Sequence, residues 1–455
     1  MGEAQVEQIA ELKKTSVFEG VTGYHWIVVI IASCGWLFDC MDQRIFILSR
    51  EPAIRELMGA GTAVETIKSL WGWATCSMLI GWATGGIIFG MMSDKWGRVK
   101  TMMVTLMVYS CFTGLSGIAQ SVEAFIAYRF LVGLGVGGMF GAATTLVAES
   151  VPSNFRSIAL GSLQALSACG NIFGSLISLA IPPGSEDYLF GMSGWRIIFF
   201  VGVIPSILIV PIVFILREPE PWKQAKKLAA DNKTDQSKQI GSIVDLFRTP
   251  RWRRNTLVGV TLGFAGMGGL WGIGFYSPEL ISVALQGESQ QVIDSVRGWG
   301  TALQDVGAFL GMFTFTLVAT FISRRLAFLG AFILCLVITP FVFFNLNSAS
   351  DAYWMLPMMG FAHLSLFGGY SIYFPEIFPT RLRGTGVGFC YNTVRYLAAG
   401  VGPLMMAFNH VLVSRGVNDV SSFRWAASMM TGIYLIGILA LVWAPETKGQ
   451  PLPED

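Results

Sequence analysis

Long apolar runs separated by short polar connections dominate the chain from residue 24 onward. Each run is close to the ~20 residues that an α-helix needs to cross the hydrocarbon core of a bilayer. Backbone polar groups in that core must be satisfied within the segment, so we expect helices, numbered span 1 to span 12. The runs lie near residues 24–48, 69–92, 101–119, 122–148, 157–181, 195–216, 255–278, 298–322, 326–346, 352–375, 384–410 and 424–444.

Basic residues are concentrated in alternate connections between these runs. The short basic connections contain Lys95, Arg98 and Lys100; Arg156; Arg324 and Arg325; and Arg381 and Arg383. The longest polar stretch, 217–254, holds ten more basic residues at the midpoint of the chain. Because positive charge favours the cytoplasmic side, we expect these connections and both termini to be cytoplasmic and the protein to reside in the plasma (cytoplasmic) membrane.

The two sides of this midpoint repeat each other. The pattern Glu149-x2-Pro152-x3-Arg156-x4-Gly161 recurs as Glu376-x2-Pro379-x3-Arg383-x4-Gly388, 227 residues later. Further pairs, such as Gly85 with Gly311 and Pro219-Glu220 with Pro445-Glu446, recur at 226 residues. The sequence thus predicts an all-α membrane protein of twelve transmembrane helices in two pseudo-symmetric six-helix halves. The predicted divisions are a tail 1–23, an N-terminal half 24–216, a linker 217–254, a C-terminal half 255–444 and a tail 445–455.

Composition agrees with a multi-pass membrane protein and excludes several other classes. Apolar residues make up 53% of the chain and charged residues 13%, with a net charge of +2. This charge provides no general field for nucleic acid. The seven cysteines lie in apolar runs without CxxC spacing, so we expect packing residues and no metal or cofactor site. We expect a carrier that works as a monomer within the bilayer, and no enzyme.

The connection after span 2 resembles a motif of the major facilitator superfamily. The stretch Gly90-Met-Met-Ser-Asp94-Lys95-Trp-Gly97-Arg98 matches the pattern G-x3-D-[RK]-x-G-R. The glycines permit close packing of spans 2 and 11, and Asp94 can meet a helix N-terminus or an arginine of the other half. The second half has Thr320 where the acid is expected. The latch, meaning the contacts that join the two halves at the cytoplasmic end, should therefore be lopsided. The residues we assign to a cytoplasmic gate are Gly90, Asp94, Gly97, Arg98, Glu149, Arg156, Glu376 and Arg383.

Three other motifs resemble one branch of that superfamily: the organic ion, aromatic-acid, niacin-type and synaptic-vesicle-glycoprotein-like transporters. They are Phe38-Asp39-Cys40-Met41-Asp42, Arg129-Phe130-x2-Gly133-x-Gly135-x-Gly137, and Pro445-Glu-Thr-Lys-Gly449-x2-Leu-Pro-Glu454. The resemblance implies transport by alternating access. Span 7 lacks the paired glutamines and asparagine of hexose-carrying relatives, which makes a hexose a less favoured substrate.

Ionisable residues inside a span are costly and usually face a cavity. Asp39 and Asp42 are three residues apart and therefore share a face of span 1. Counting residues inward from the outer ends of spans 1 and 4 places Asp42 and Arg129 at about the same depth in the membrane. Two close carboxylates disfavour double ionisation, which suits a proton-coupling site. The alternative is a static buried ion pair that fixes packing. Arg44 points away from Asp42.

Arg395 lies near the midplane of span 11, in the sequence Tyr391-Asn392-x2-Arg395. Its planar guanidinium suits bidentate binding of a carboxylate, with Asn392 and Tyr391 on the same side of the helix. Among organic ion transporters, a basic residue at a similar place accompanies anionic substrates. The alternatives are pairing with Asp305 of span 8 or with a backbone carbonyl.

Other polar and aromatic residues are weaker candidates for the same cavity. The further candidates for substrate binding are Gln164, Asn171, Trp36, Trp271, Phe275 and Asp305. His363 of span 10 could relay protons, but a lone histidine among apolar residues is more often simply hydrogen-bonded.

We therefore expect a proton-coupled symporter of a small organic anion, such as a monocarboxylate or an aromatic acid. The alternatives within transport are a carrier of sugars or other neutral metabolites and an exporter of amphiphilic compounds. A non-transporting receptor or scaffold is the alternative of another class.

Overall fold

The computed structural model describes residues 16–59, 61–189, 191–231, 239–398 and 401–454. These residues are helical nearly throughout and form no strand beyond an isolated bridge between Leu189 and Met192. The predicted N-terminal tail lies largely outside the described residues. The fold class predicted from the sequence is confirmed.

The first half contains spans 1 to 6. Their bounds are Gly23–Met58, Val64–Trp96, Arg98–Gly117, Val122–Ser150, Ser153–Ala180, and, for span 6, Gly194–Val201 continued by a 3-10 turn Ile204–Leu208 and a helix Ile209–Ile215. The linker forms two short helices, Glu220–Asp231 and Ile243–Arg248.

The second half contains spans 7 to 12. Span 7 comprises Pro250–Gly272, a 3-10 turn Gly274–Tyr276 and Ser277–Ala284. Spans 8, 9 and 10 are Gln290–Phe321, Arg324–Asn345 and Ala349–Glu376. Span 11 comprises Arg383–Ala398 and Val401–Ser414, and span 12 comprises Asp419–Met430 and Ile433–Ala440.

Length and apolar composition explain most of these helices. Ten of the described stretches are long and apolar enough to cross a membrane, namely spans 1 to 9 and span 12. Spans 10 and 11 complete the twelve predicted from the apolar runs. Several helices are longer than predicted, since amphipathic turns extend them past the apolar run, as in span 1. Span 7 begins at Pro250, a favoured first helical residue, so the predicted linker 217–254 includes its first turn.

The halves contact each other through two equivalent helix pairs. Span 2 packs on span 11, and span 5 packs on span 8. The linker docks at one end of this interface: the Trp222 indole donates to the Asp94 carbonyl at 2.6 Å, and Asp245 pairs with Arg381 at 2.9 Å. We call this end of the bundle the Asp94 end. The division into halves at the predicted residues stays a prediction.

All seven cysteines are free, but they do not all pack inside the protein. Cys40, Cys335 and Cys390 are buried, whereas Cys76 and Cys111 are exposed on the outer surface of the bundle. The prediction that all of them are packing residues is therefore wrong for the exposed pair, because spans 2 and 3 each turn one face away from the core.

Candidate functional site

Asp94 connects the two halves at the Asp94 end. Its fully buried carboxylate accepts hydrogen bonds from the backbone N–H groups of Gly384 at 2.9 Å and Thr385 at 2.7 Å. The Thr385 hydroxyl donates a third bond at 2.6 Å. These groups form the first turn of span 11, where the helix dipole favours an anion. The sequence prediction that Asp94 meets a helix N-terminus is matched by this geometry.

A buried network of ion pairs continues from Asp94. Arg98 donates to both oxygens of Glu149, at 3.0 and 2.9 Å, and also lies 3.2 Å from Asp94. Arg383 of the other half donates to the same Glu149 carboxylate. A further bond joins Arg98 to the carbonyl of Thr380 at 2.8 Å. Glu149 is thus shared by one arginine from each half.

The internal repeat places an equivalent network on the other side of the interface. Arg324 donates to both oxygens of Glu376, at 3.2 and 2.9 Å, and to the Ser157 hydroxyl across the interface. Arg156 donates to the carbonyl of Ala148 at 3.0 Å. No ion pair of Arg156 occurs within 4 Å among the described residues, so the Arg383–Glu149 contact has no Arg156–Glu376 equivalent.

The two networks differ where the sequence predicts they should. At the position of Asp94, the second half has Thr320, whose hydroxyl donates to Thr316 within its own helix at 2.7 Å. No carboxylate therefore caps span 5 from this position, and the latch is lopsided. Its role as a cytoplasmic gate stays a prediction.

Two positions of the motif require glycine, because neighbouring atoms occupy the space that a Cβ atom would need. A Cβ on Gly90 would lie 2.7 Å from the carbonyl oxygen of Gly384 and 3.2 Å from the Cα of Gly388. Spans 2 and 11 therefore touch backbone to backbone, as expected. Gly97 has a φ of 123°, which favours glycine, and Glu218 occupies the space a side chain would need.

Glu218 caps the N-terminus of span 3. Its carboxylate accepts from the backbone N–H groups of Arg98 at 2.7 Å, Val99 at 3.0 Å and Lys100 at 3.2 Å. Burial raises the pKa of Glu218 above its ordinary value, against the opposing effect of these hydrogen bonds.

Glu446 caps the N-terminus of span 9 in the same way. It accepts from the Ser323 hydroxyl and from the backbone N–H groups of Arg324 and Arg325. Burial alone would raise the pKa of Glu446, but these bonds hold it below its ordinary value. The sequence repeat aligns Glu446 with Glu220, yet the structural equivalent is Glu218. The repeat thus shifts by two residues where the chain leaves the bundle.

Arg395 lies in the interface between the halves, away from the Asp94 end. Its Nη1 donates to the carbonyl of Tyr391 at 2.9 Å and to Oδ1 of Asn392 at 2.6 Å. Its guanidinium carbon lies 4.2 Å from the ring centroid of Trp82 and 4.6 Å from that of Tyr391. Nε has no hydrogen-bond partner among the residues that the structure describes. No carboxylate lies within 4 Å of Arg395 in the described part of the chain.

Trp82 and Tyr391 contact this guanidinium, and Trp36 and Phe140 pack against those two rings. We call these four side chains the aromatic cluster. Phe140 stacks on Tyr391 with centroids 3.8 Å apart, and Trp36 lies 4.9 Å from Phe140 and 6.3 Å from Trp82. The indole N–H groups of both tryptophans lack hydrogen-bond partners in the described part of the structure. Buried polar groups are normally paired, so the cluster offers three unused donors, counting Nε of Arg395.

Asn392 forms its hydrogen bonds within span 11, and its predicted role in substrate binding stays a prediction. Its Oδ1 accepts from Arg395, and its Nδ2 donates to the carbonyl of Gly388 at 2.9 Å. Both ends of the amide are therefore occupied in orienting the guanidinium. Gln164 lies beside the Tyr391 hydroxyl, and its Oε1 forms no hydrogen bond to any described residue. Gln164 thus remains a candidate contact.

The other candidates for substrate binding have different surroundings. Asp305 pairs with Arg44 at 2.5 Å, so the alternative in which it neutralises Arg395 is not realised. This ion pair joins span 1 to span 8, and both side chains are partly exposed. Asn171 is partly exposed, Trp271 is partly buried against the core, and the side chain of Phe275 lies outside the described part of the structure.

Asp39, Asp42 and Arg129 do gather inside the first half. Oδ2 of Asp42 lies 3.8 Å from Nη1 of Arg129, and Oδ1 accepts from Thr113 at 2.9 Å. Arg129 donates twice to the Ser116 hydroxyl, at 3.1 and 2.6 Å. Within the described part of the chain, neither oxygen of the buried Asp39 forms a well-aligned hydrogen bond, and the Tyr109 hydroxyl lies beside it. The expected common depth is therefore correct, but Asp39 and Asp42 have different surroundings.

His363 is a core residue of the second half. Its Nε2 shares a hydrogen bond with the Thr339 hydroxyl at 2.7 Å, and it is 1% exposed. This agrees with the simpler expectation for a lone histidine among apolar neighbours.

Sequence reasoning missed several residues of these two sites: Trp82, Phe140, Tyr109, Thr113 and Ser116. A signal for the last three exists, because they recur every three or four residues and form a polar stripe on span 3. Trp82 also stands out as the one bulky residue between Gly81 and Gly86. No comparable sequence feature distinguishes Phe140 from the many other aromatic residues of the chain.

A comparison with protein families matches residues 33–403 to the Major Facilitator Superfamily. The chain is 30% identical over 325 residues to a cis,cis-muconate transport protein of Acinetobacter baylyi, covering 71% of this chain and 74% of the relative. It is 24% identical over 451 residues to a niacin transporter of the same species, covering 94% and 96%. These relatives agree with the branch identified from the motifs.

Solved structures show the same fold. A proton:xylose symporter bound to a bromodeoxyglucose aligns with a TM-score of 0.72 and 19% identity, covering 94% of this chain and 98% of that chain. At this identity the likeness establishes the architecture and leaves the substrate open.

Proposed function

The chain belongs to the major facilitator superfamily, and on this premise we propose that it carries a small organic anion across the membrane together with protons. Members of this architecture transport by rocking two halves around a site near the bilayer midplane. The anion is a monocarboxylate or an aromatic acid.

The observation that carries the proposal is that the buried Arg395 guanidinium has no carboxylate within 4 Å among the described residues. A buried charge is normally paired or bound to a ligand, because desolvation without compensation is costly. Nη1 is occupied by Asn392 and the Tyr391 carbonyl, whereas Nε lacks a partner. A carboxylate approaching the Nε edge would complete the bidentate geometry that arginine favours.

The aromatic cluster supports an anion that is also flat and partly apolar. Trp36 and Trp82 hold unused N–H donors within an apolar wall. Aromatic walls with a few placed polar groups are typical of small-molecule sites. The relatives named for muconate and for niacin are, by name, carriers of carboxylic acids, which is consistent with this class.

Asp39 and Asp42 are the proposed proton carriers, with Arg129 as the counter-charge. Asp42 has a cation and a hydroxyl donor nearby, whereas Asp39 has no cation within 4 Å among the described residues and lies beside the Tyr109 hydroxyl. This difference favours Asp39 as the group that exchanges a proton and Asp42 as the group that keeps its charge beside Arg129. Asp39 lies one turn from Trp36, so span 1 connects the proton site to the substrate site.

Alternating access requires contacts that form and break at the two ends of the bundle. The network around Asp94 and Glu149 supplies such contacts at the Asp94 end. The Arg44–Asp305 pair supplies one from span 1 to span 8. We assign these as the two gates.

A ligand screen tests the proposal directly. The purified protein is heated with carboxylic acids, sugars and amines at pH 5.5 and pH 7.5, since a bound ligand raises the midpoint of unfolding by mass action. We expect stabilisation by a subset of carboxylic acids. Stabilisation by sugars or amines alone would reject the organic anion.

A further inference from the structure

A groove of about 460 Å³ runs between spans 7 and 12 at the Asp94 end. Its size falls within the ~300–1,000 Å³ range of small-molecule sites. We call it the span 7–span 12 groove and define it by six of the residues that line it: Arg253, Arg254, Leu257, Ile436, Leu439 and Trp443. It opens on the outer surface of the bundle and is separate from the aromatic cluster.

The walls of this groove are apolar and exposed. The exposed fractions are 55% for Leu257, 63% for Leu439 and 58% for Trp443. Ile436 and Leu439 are three residues apart and share a face of span 12, and Trp443 lies in the turn that follows the helix. Since this surface faces the bilayer in a membrane protein, the walls suit a lipid acyl chain.

The mouth of the groove is positively charged. Arg253 and Arg254 both line it, at the first turn of span 7. Nε of Arg254 donates to the carbonyl of Trp443 at 2.9 Å, which holds the guanidinium across the mouth. None of the lining residues in the described part of the chain is acidic. Two neighbouring guanidinium groups at the membrane surface suit a phosphate, which arginine can bind bidentately.

We propose that the span 7–span 12 groove binds an anionic phospholipid, with the phosphate between Arg253 and Arg254 and an acyl chain along Leu257, Leu439 and Trp443. Basic pockets between transmembrane helices commonly bind such headgroups. The proposal requires only that the chain spans a membrane, and it does not depend on the identity of the transported substrate.

Native mass spectrometry of delipidated protein titrated with phosphatidylglycerol or phosphatidylcholine tests the headgroup. We expect one saturable phosphatidylglycerol per chain and at least tenfold weaker phosphatidylcholine binding. The double variant Arg253→Gln/Arg254→Gln should weaken phosphatidylglycerol at least tenfold. The control Lys100→Gln/Lys227→Gln removes two exposed charges outside the groove. It should change the affinity for phosphatidylglycerol less than twofold. Equal losses in both double variants would overturn the proposal.

A second variant tests the acyl chain while both arginines remain. Leu439→Trp adds bulk to an exposed wall position, so folding should be preserved. We expect it to weaken phosphatidylglycerol at least fivefold, and inorganic phosphate at millimolar concentration should not displace the lipid. Unchanged binding to Leu439→Trp, or displacement by free phosphate, would show that the arginines bind phosphate without a lipid chain and would overturn the proposal.

Discussion

Replacing Asp94 with asparagine should open the Asp94 end of the bundle. The carboxylate now accepts three hydrogen bonds from the first turn of span 11, at 2.9, 2.7 and 2.6 Å. Asparagine keeps one neutral acceptor and presents an N–H₂ group to the remaining donors. It preserves the size of the side chain, so the effect reports on the lost acceptor and the lost charge.

The expected magnitude follows from these contacts. A hydrogen bond to a charged group contributes about 1.5–3 kcal/mol, against about 0.5–1.5 kcal/mol for a neutral one. Losing one such bond and weakening the others costs the closed state several kcal/mol, part of which is regained because a buried charge is removed. A net change of about 2 kcal/mol shifts the ratio of open to closed molecules about 30-fold.

Distances between spin labels on the two halves measure this shift. Labels at Lys100 and Gln450, both exposed, report on the Asp94 end in a background without reactive cysteines. Asp94→Asn should move the distribution toward longer distances. Thr320→Val is the matched control at the equivalent position of the second half, where the hydroxyl bonds only within its own helix. An unchanged distribution in Asp94→Asn, or an equal shift in Thr320→Val, would refute the reasoning.

Three further predictions concern the proton site, the helix contact and the start of span 9. In proteoliposomes, Asp39→Asn should abolish uptake driven by a proton gradient but spare exchange of labelled substrate; uphill accumulation by both this variant and Asp42→Asn would move the proton site elsewhere. Gly388→Ala should also open the Asp94 end in the spin-label assay, since its Cβ would collide with the carbonyl of Gly86; an unaltered distance distribution would argue against close packing. The lowered pKa of Glu446 stabilises the fold above the ordinary glutamate pKa of about 4.3, and this stability is lost as pH falls through the folded pKa. Glu446→Gln should therefore flatten the fall in unfolding temperature below about pH 4.5, and a parallel pH profile would contradict it.

Much of the fold could be predicted because the bilayer imposes strong constraints on a sequence. Apolar length fixes the number of spans, and the repeat of Glu149 and Arg156 as Glu376 and Arg383 reveals the two halves. Helix ends could not be located as well. Span 1 continues to Met58 beyond its apolar run, and hydropathy alone does not mark where an amphipathic helix ends.

The candidate sites were only partly predictable for a different reason. Rare charges such as Asp42, Arg129 and Arg395 are visible in an apolar sequence, and helical depth was enough to pair the first two. Which neighbour each charge chooses depends on side-chain packing between spans. For this reason Asp305 pairs with Arg44, and Trp82 lies against Arg395 without any local signal beyond its glycine-rich surroundings.

The affinity of the Arg395→Lys variant for the best-binding acid from the ligand screen tests the central claim most directly. Lysine keeps the positive charge but loses the Nε edge, so binding measured by calorimetry should weaken at least tenfold. Arg424→Lys is the control, because Arg424 of span 12 bonds to the carbonyls of Phe344 and Leu346, away from the aromatic cluster. We expect this control to bind like the unmodified protein. An unchanged affinity in Arg395→Lys would contradict an anion site at Arg395.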